Sequence, residues 1–278
     1  MELPRRRLGK TGVHVSVLGL GGEGILRTHG FEREARLVIE TALDLGVTYM
    51  ESARAYAGSE AYYGTALNEK RRAVFLASKS HARDKKGALA HLEETLRNMR
   101  TDYLDLWQVH DVRSNDEVEQ IFGPGGAMEG FIEARRKGLV RFIGVTGHHD
   151  PFILRKCIEE FDFDTVLLPV NAAEPSHRSF LAEVLPEARA RDMGIIGMKV
   201  YLGGLARHVP GHPSPEPFLR FALSQPVSTV VIGCRGSREV LENARIAQSF
   251  QQMSTEEMDI LTHDISPFAR ELMRYKGV

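Results

Sequence analysis

The segment 46–67, GVTYMESARAYAGSEAYYGTAL, decides the fold. Within it a short apolar run, 47–50, leads to the carboxylate of Glu51, and the phenol of Tyr56 follows in a turn of small and polar residues. An amphipathic stretch begins at about Ser59. This order predicts a strand, then a loop with reactive side chains, then a helix, which is the repeating unit of parallel α/β proteins.

Two later segments end in the same way. AVFLASK (73–79) places Lys79 at the end of a strand-like run, and YLDLWQVHD (103–111) places His110 at the end of another. In each run, as in the one that leads to Glu51, the reactive residue continues the row of alternate residues that would face inward. Because the carboxyl ends of barrel strands share one rim, we expect these side chains and Tyr56 to meet there.

Strand and helix patterns alternate along the whole chain. The predicted strands are 15–20, 47–50, 73–79, 103–109, 140–146, 165–170, 194–200 and 228–233. The predicted helices are 32–45, 59–68, a long helix capped by Asp84, the second half of 116–137, 151–160, 178–191, 218–224 and a helix from Ser237 to about 250.

Eight such units favour a closed (β/α)8 TIM barrel, here a single domain over 1–278 with an N-terminal β-hairpin around Gly9 to Gly12. The triple arginine at 5–7 is interpreted as a solvated hairpin edge, with a phosphate contact as the alternative. The alternative fold is an open, doubly wound sheet. The glycines of GLGGEG (19–24) do not decide for it, because a lone glycine cluster is weak evidence.

Composition limits the kinds of partner. Thirty-six Lys and Arg residues nearly balance 37 Asp and Glu residues, so no global field would attract nucleic acid or anionic membranes, and small molecules are the expected partners. Cys157 and Cys234 show neither metal-ligand spacing nor a disulfide framework, which favours a reducing compartment. There is no apolar leader and no run of about 18 apolar residues, so the protein is expected to be cytoplasmic, without a membrane partner.

The reactive residues suit proton transfer to a carbonyl. A phenol has a pKa near 10, so acting as an acid near neutrality calls for a shift of up to about three units, roughly 4 kcal/mol. A lysine ammonium ~4 Å away supplies about that much at an effective dielectric constant of ~20. Lys79 is therefore predicted to lower the pKa of Tyr56, Glu51 to keep Lys79 protonated, and His110 to orient the carbonyl or relay a proton.

At this point the sequence resembles the aldo-keto reductase family. The similar segments, in chain order, are RRRLGKTGVHVSVLGLG, GVTYMESARAYAGSEAYYG, FLASK, YLDLWQVHD, GLVRFIGVTGH and VIGCRGSREVLENA. The resemblance implies a (β/α)8 barrel that binds NADP(H) on its C-terminal rim and reduces a small-molecule aldehyde or ketone. It assigns the family's four catalytic positions to Glu51, Tyr56, Lys79 and His110, with Tyr56 as the acid.

The resemblance also implies cofactor contacts. Asn171 stands where a glutamine usually holds the nicotinamide carboxamide, and Thr146-Gly147 stands where Ser-Asn is usual, so His148 or a water is expected to replace the missing amide. Met198 takes the place of a stacking tyrosine. The remaining cofactor positions implied are Gly21, Gly22, Lys199, Gly203, Gly204, Gly233, Cys234, Arg235, Gly236, Ser237, Arg238, Glu242 and Asn243. Arg235 and Arg238 suit a 2′-phosphate, hence NADPH over NADH.

Two alternatives depart from a plain reductase. The family has aspartate where this chain has Glu51, so a non-catalytic NADP-binding or sensing barrel is an alternative. An unrelated barrel enzyme that uses the last two strand loops as a phosphate cup is another. Segments 194–200 and 226–234 resemble a branch whose larger members append an iron-sulfur domain, but no C-x-x-C-x-x-C run is present, and no metal site is predicted.

Overall fold

Eight parallel strands close into a barrel, preceded by a two-stranded antiparallel hairpin. The computed structural model describes residues 2–276. The hairpin strands are β1 (Arg5–Arg7) and β2 (His14–Ser16). The barrel strands are β3 (Leu18–Gly24), β4 (Tyr49–Glu51), β5 (Phe75–Ser80), β6 (Leu104–Val109), β7 (Val140–Thr146), β8 (Thr165–Pro169), β9 (Gly194–Met198) and β10 (Thr229–Cys234), and β10 pairs with β3 to close the ring.

Helices surround the barrel and form its outer layer. They are α1 (Glu32–Asp44), α2 (Ser59–Leu67), α3 (Lys85–Asn98), α4 (Asn115–Phe122), α5 (Ala127–Arg136), α6 (Pro151–Glu160), α7 (Phe180–Glu183), α8 (Leu185–Ala190), α9 (Glu216–Ser224), α10 (Ser237–Gln248), α11 (Thr255–Ile265) and α12 (Ala269–Leu272). As predicted, Asp84 caps α3, and its side chain accepts a hydrogen bond from Gly87 N. None of the helices within residues 2–276 is long and apolar enough to cross a bilayer.

Alternate residues of each strand fill the barrel interior. Tyr49, Phe75, Leu106, Leu167 and Ile196 belong to one buried apolar cluster inside the ring. The rings of Tyr49 and Phe75 stack at 5.6 Å. Since side chains alternate along a strand, the residue two positions after each inward residue at a strand end also points inward, which is how Glu51 and Lys79 reach the rim.

The hairpin closes the amino-terminal end of the barrel. Leu8 and Val15 are fully buried and pack against the interior cluster. Gly9 has a φ of +49°, and a Cβ there would lie 2.2 Å from Gly194 N at the start of β9. Only glycine fits so close to that backbone. The bottom of the barrel is therefore sealed, and the open end is the carboxyl-terminal rim.

The predicted strand 15–20 has different boundaries in the structure. Val15 belongs to β2, which pairs with β1, and the barrel strand begins only at Leu18. Between them, Val17 N donates a hydrogen bond to Pro4 O at 2.9 Å. The apolar run continues from β2 into β3 although the two strands pair with different neighbours. Hydrophobicity therefore predicted burial correctly but could not show where one strand ends and the next begins.

Three helix predictions also need correction. The segment 116–137 holds two helices rather than one, because Ser114 accepts a hydrogen bond from Glu117 N and starts α4 before the Gly-Pro-Gly-Gly break. The predicted helix 178–191 is divided into α7 and α8 at Val184. Ser237 is the first residue of α10 rather than its cap, which is the extended Gly236.

The C-terminal segment is fixed to the rim by its last described residues. The Lys276 ammonium is buried and donates to Glu174 Oε2 at 2.9 Å and to the carbonyl of His177 at 2.7 Å. Tyr275 Oη donates to Glu174 Oε1 at 2.7 Å. These bonds place Tyr275 and Lys276 beside the loop that follows β8.

Candidate active site

A buried ion pair joins the ends of two neighbouring strands. Lys79 Nζ lies 2.6 Å from Glu51 Oε1, and it also donates to Ser52 O at 2.9 Å. Both side chains are almost fully buried, with 1% and 3% exposure for Lys79 and Glu51. Tyr49 Oη donates to the second carboxylate oxygen at 3.2 Å. The longer side chain of glutamate therefore reaches the ammonium, and the two charges compensate each other.

Tyr56 and His110 complete the group on the same rim. The Tyr56 ring centroid is 5.1 Å from Lys79 Nζ and 5.7 Å from the His110 ring, which it meets edge-on. His110 is placed by its backbone N–H, which donates to Ser80 O at the end of β5. The guanidinium of Arg27 also lies over the Tyr56 ring, 4.9 Å from its centroid. The four residues predicted to meet do so.

The pKa of the Tyr56 phenol differs in direction from the sequence-based expectation. Burial, followed by the negative charges of Glu23 and Glu51, holds this pKa well above its ordinary value, and Arg27 is the cation that opposes them. The expected net lowering of this pKa is wrong, because burial and the charges of Glu23 and Glu51 outweigh the cations beside the ring. Tyr56 thus keeps its proton at neutral pH, the form that can donate to a carbonyl oxygen.

The His110 imidazole is neutral in this environment. Burial lowers its pKa well below the ordinary value, and the nearby charge of Lys79 lowers it further. A neutral imidazole with one N–H can donate a hydrogen bond to a carbonyl oxygen without competing for the proton of Tyr56. This arrangement suits orientation of the carbonyl better than proton relay.

The lowered pKa of His110 predicts how stability depends on pH. Below about pH 6.5 the unfolded chain binds a proton at this residue that the folded protein excludes, so its contribution to stability is complete above that pH and is lost as the pH falls. As the pH falls from about 7.5 to about 5.5, we expect the free energy of unfolding to decrease more for the wild type than for His110→Asn. Urea unfolding followed by circular dichroism measures it, and a difference independent of pH would contradict the prediction.

A cavity of about 340 Å³ at the barrel mouth is lined by Glu51, Tyr56, Lys79 and His110. Its wall includes Gly21, Gly22, Thr146, His148, Met198, Lys199 and Gly233, all predicted from the sequence as cofactor positions. Thr146 Oγ1 accepts a hydrogen bond from Asp111 N at 2.8 Å, and so fixes the chain just beyond His110.

A second cavity, of about 550 Å³, continues from the first one. The two share Glu23, Lys199, Val231 and Gly233 in their walls. The predicted positions Gly203, Gly204, Arg235 and Asn243 line the second cavity. The combination of Lys199, Arg235 and glycine-rich backbone suits an extended, phosphate-bearing ligand that runs from one cavity to the other.

Other predicted positions lie outside both cavities. Asn171 is fully buried, and its amide donates to Lys199 O at 3.2 Å and to Tyr275 Oη at 3.0 Å. Glu242 is bound by Arg207 at 2.7 Å. Gly147, Cys234, Gly236, Ser237 and Arg238 do not line either cavity. In the structure, therefore, His148 lines the cavity that holds the four reactive side chains and Asn171 does not.

Several lining residues were not predicted from the sequence. Glu23 borders both cavities and forms ion pairs with Arg27 at 3.2 Å and Lys199 at 3.7 Å. Tyr201 donates to Asn243 Oδ1 at 2.7 Å in the wall of the second cavity. Glu23 follows directly after the predicted Gly21-Gly22 and Tyr201 lies between Lys199 and Gly203, so position next to a predicted contact was the available signal.

Comparisons with known proteins agree with this geometry. Residues 17–209 match the family model described as the Aldo/keto reductase family. The uncharacterized oxidoreductase YqkF of Bacillus subtilis is 22% identical, with 92% of this chain and 95% of YqkF aligned.

Two solved structures share the fold. A holo-form aldo-keto reductase from Bacillus halodurans superposes with a TM-score of 0.80 at 20% identity, over 95% of this chain and 96% of that one. An aldo-keto reductase from Klebsiella pneumoniae in complex with NADPH gives 0.78 at 19% identity, over 96% of both chains. With more than half of its residues matched by the family model, the chain belongs to the aldo/keto reductase family.

Proposed function

We propose that this protein is an NADP(H)-dependent reductase of aldehydes or ketones. The observation that carries the proposal is the convergence of Tyr56, Lys79, Glu51 and His110 on one cavity that opens into a second, phosphate-suited cavity. NADPH-bound relatives such as the Klebsiella pneumoniae enzyme support the choice of cofactor. Family membership argues against an unrelated barrel enzyme.

The cavities fit the proposed cofactor by their shape and donor set. Gly233 lies where the two cavities join, and a Cβ there would come within 2.7 Å of the Glu23 backbone. Lys199 and Arg235 would hold phosphate oxygens. When bound, NADPH supplies the hydride.

The chain's own residues would then control the proton. His110, as a neutral donor, holds the carbonyl oxygen, and Tyr56 transfers its phenolic proton to that oxygen as the carbonyl carbon is reduced. The resulting phenolate would be stabilised by Lys79 and Arg27 until a proton from solvent restores the phenol. Glu51 holds the Lys79 ammonium in place, which is a positioning role.

The ion pair bears on the non-catalytic alternative. That alternative was motivated by glutamate in the place of the family's aspartate, but Glu51 makes a close, buried contact with Lys79. A direct test mixes purified protein with NADPH and reactive carbonyls such as 4-nitrobenzaldehyde and follows loss of the reduced-nicotinamide absorbance. Tight NADP binding without turnover on a broad carbonyl panel would favour the sensing barrel instead.

The preference for NADPH over NADH is predicted to depend on Arg235. This exposed arginine lines the second cavity, whereas Arg238, also exposed, does not. We expect Arg235→Ala to raise the KM for NADPH about tenfold, as loss of a charge-assisted hydrogen bond predicts, and to leave the KM for NADH unchanged. Arg238→Ala is the matched control. If both variants kept the wild-type KM for NADPH, the 2′-phosphate would have to be bound elsewhere.

A further inference from the structure

Three side chains with metal-binding atoms meet at one edge of the candidate active site. Asp111 follows β6, and His148 and His149 follow β7, so the parallel strands deliver them to the same part of the rim. His148 Nε2 is 3.2 Å from Asp111 Oδ1, and His149 Nε2 is 3.6 Å from Asp111 Oδ2. One ligand atom from each residue lies within 4.8 Å of the others.

The hydrogen bond made by His148 defines its tautomer. Its Nδ1 lies 3.0 Å from the carbonyl oxygen of Tyr275, which can only accept, so Nδ1 carries the hydrogen. In the neutral ring Nε2 then presents a lone pair toward the Asp111 carboxylate. Metal-binding histidines are held in the same way, with one nitrogen donating to a backbone carbonyl and the other facing the ion.

Two further atoms of the group lack partners. Asp111 is 8% exposed, and among residues 2–276 its Oδ1 has no hydrogen bond, nor does the buried Nε2 of His149. Arg113 donates to the other carboxylate oxygen, Oδ2, at 2.8 Å, and leaves Oδ1 beside His148. Buried polar atoms without partners are costly, and a cation placed between them would satisfy all three atoms.

The backbone supports the same arrangement. Asp111 has a φ of +54°, a conformation that costs free energy in a residue with a side chain, and its N–H is held by Thr146 Oγ1. In that conformation the carboxylate lies beside His148 and His149.

We propose that Asp111 Oδ1, His148 Nε2 and His149 Nε2 form a three-ligand site for a divalent transition metal of the zinc type. Zinc–ligand bonds of about 2.0–2.1 Å in a tetrahedron place neighbouring ligand atoms roughly 3.3 Å apart, close to the observed separation of His148 and Asp111. Three protein ligands leave the fourth position open. His148 and Asp111 also line the cavity of about 340 Å³ that holds Tyr56 and His110. No metal site was predicted from the sequence, since two adjacent histidines and a distant aspartate carry no recognisable spacing.

The site is tested on the full chain, without a histidine tag and freed of metal by a chelator. We expect calorimetry to show one zinc ion bound per chain, and cobalt to give the visible absorption of a low-coordinate site. His149→Ala and Asp111→Asn should each weaken zinc binding by at least about tenfold. The control is His14→Ala, which removes an exposed histidine on the hairpin.

His149 does not line either cavity, so its variant separates metal binding from catalysis. Circular dichroism of each variant shows that it is folded before the metal titration. The proposal is overturned if the wild type binds no zinc, or if folded His149→Ala and Asp111→Asn bind zinc as tightly as the wild type. The readout is metal binding itself, so the result does not depend on whether the protein proves to be a reductase.

Discussion

Tyr56→Phe is expected to lower kcat for carbonyl reduction by about 10²–10⁴-fold, the usual contribution of a general acid. The substitution removes only the phenolic hydroxyl. The ring remains, so its contacts with Arg27 at 4.9 Å and with His110 at 5.7 Å persist and the cavity keeps its shape. Affinity for NADPH and the free energy of unfolding should stay near the wild-type values.

The measurement pairs steady-state turnover with a binding titration of NADPH. Tyr103→Phe is a matched control, because it deletes the same hydroxyl from a partly exposed tyrosine that stacks on Arg71, outside both cavities. It should leave turnover unchanged. If folded Tyr56→Phe reduced carbonyls at the wild-type rate, the proton would have to come from another group, and the proposed role of Tyr56 would fail.

Lys79→Met is expected to cost about 3–5 kcal/mol of unfolding free energy and to abolish measurable reduction. The stability loss arises because Glu51 would remain buried, with 3% exposure, without the ammonium 2.6 Å away. Among residues 2–276, only the hydrogen bond from Tyr49 would then support its carboxylate. The activity loss follows from removal of the cation that stabilises the Tyr56 phenolate.

The double variant Lys79→Met, Glu51→Gln separates the two effects. Because it removes both charges, it should recover most of the stability lost in Lys79→Met, yet it should remain inactive. Denaturant unfolding of the wild type, both single variants and the double variant gives the coupling energy between the two residues. A coupling energy near zero would show that the buried pair contributes nothing to stability beyond its separate parts.

The sequence predicted the fold well because its signals were local and repeated. Each apolar strand pattern ended in a loop, and alternation within a strand correctly placed Glu51 and Lys79 on inward rows. The division at Val17 was missed, because a change of strand partner leaves no trace in an apolar run. Helix α4 was missed because the glycine-rich break after Phe122 obscured the cap at Ser114.

The electrostatics of the site depended on contacts that are distant in sequence. The pKa of Tyr56 is affected by Glu23, near the end of β3, and by Arg27, in the loop after it, and no pattern in the sequence placed either beside the phenol. The Asn171 amide donates a hydrogen bond to Tyr275, which lies more than a hundred residues later in the chain. Such contacts are set by where loops and the C-terminal segment lie, which neither periodicity nor spacing determines.

The closing pair of strands also has a consequence for how the chain folds. Leu18 of β3 lies opposite Val230 of β10. One of the two neighbours of the first barrel strand is therefore the last strand to be synthesised. During synthesis the edge of β3 that faces β10 stays unpaired while most of the chain is made. Pairings this distant in sequence slow folding and expose strand edges to aggregation. We therefore expect ring closure to be a late folding event, after the strands from β3 to β9 have assembled on one another in chain order.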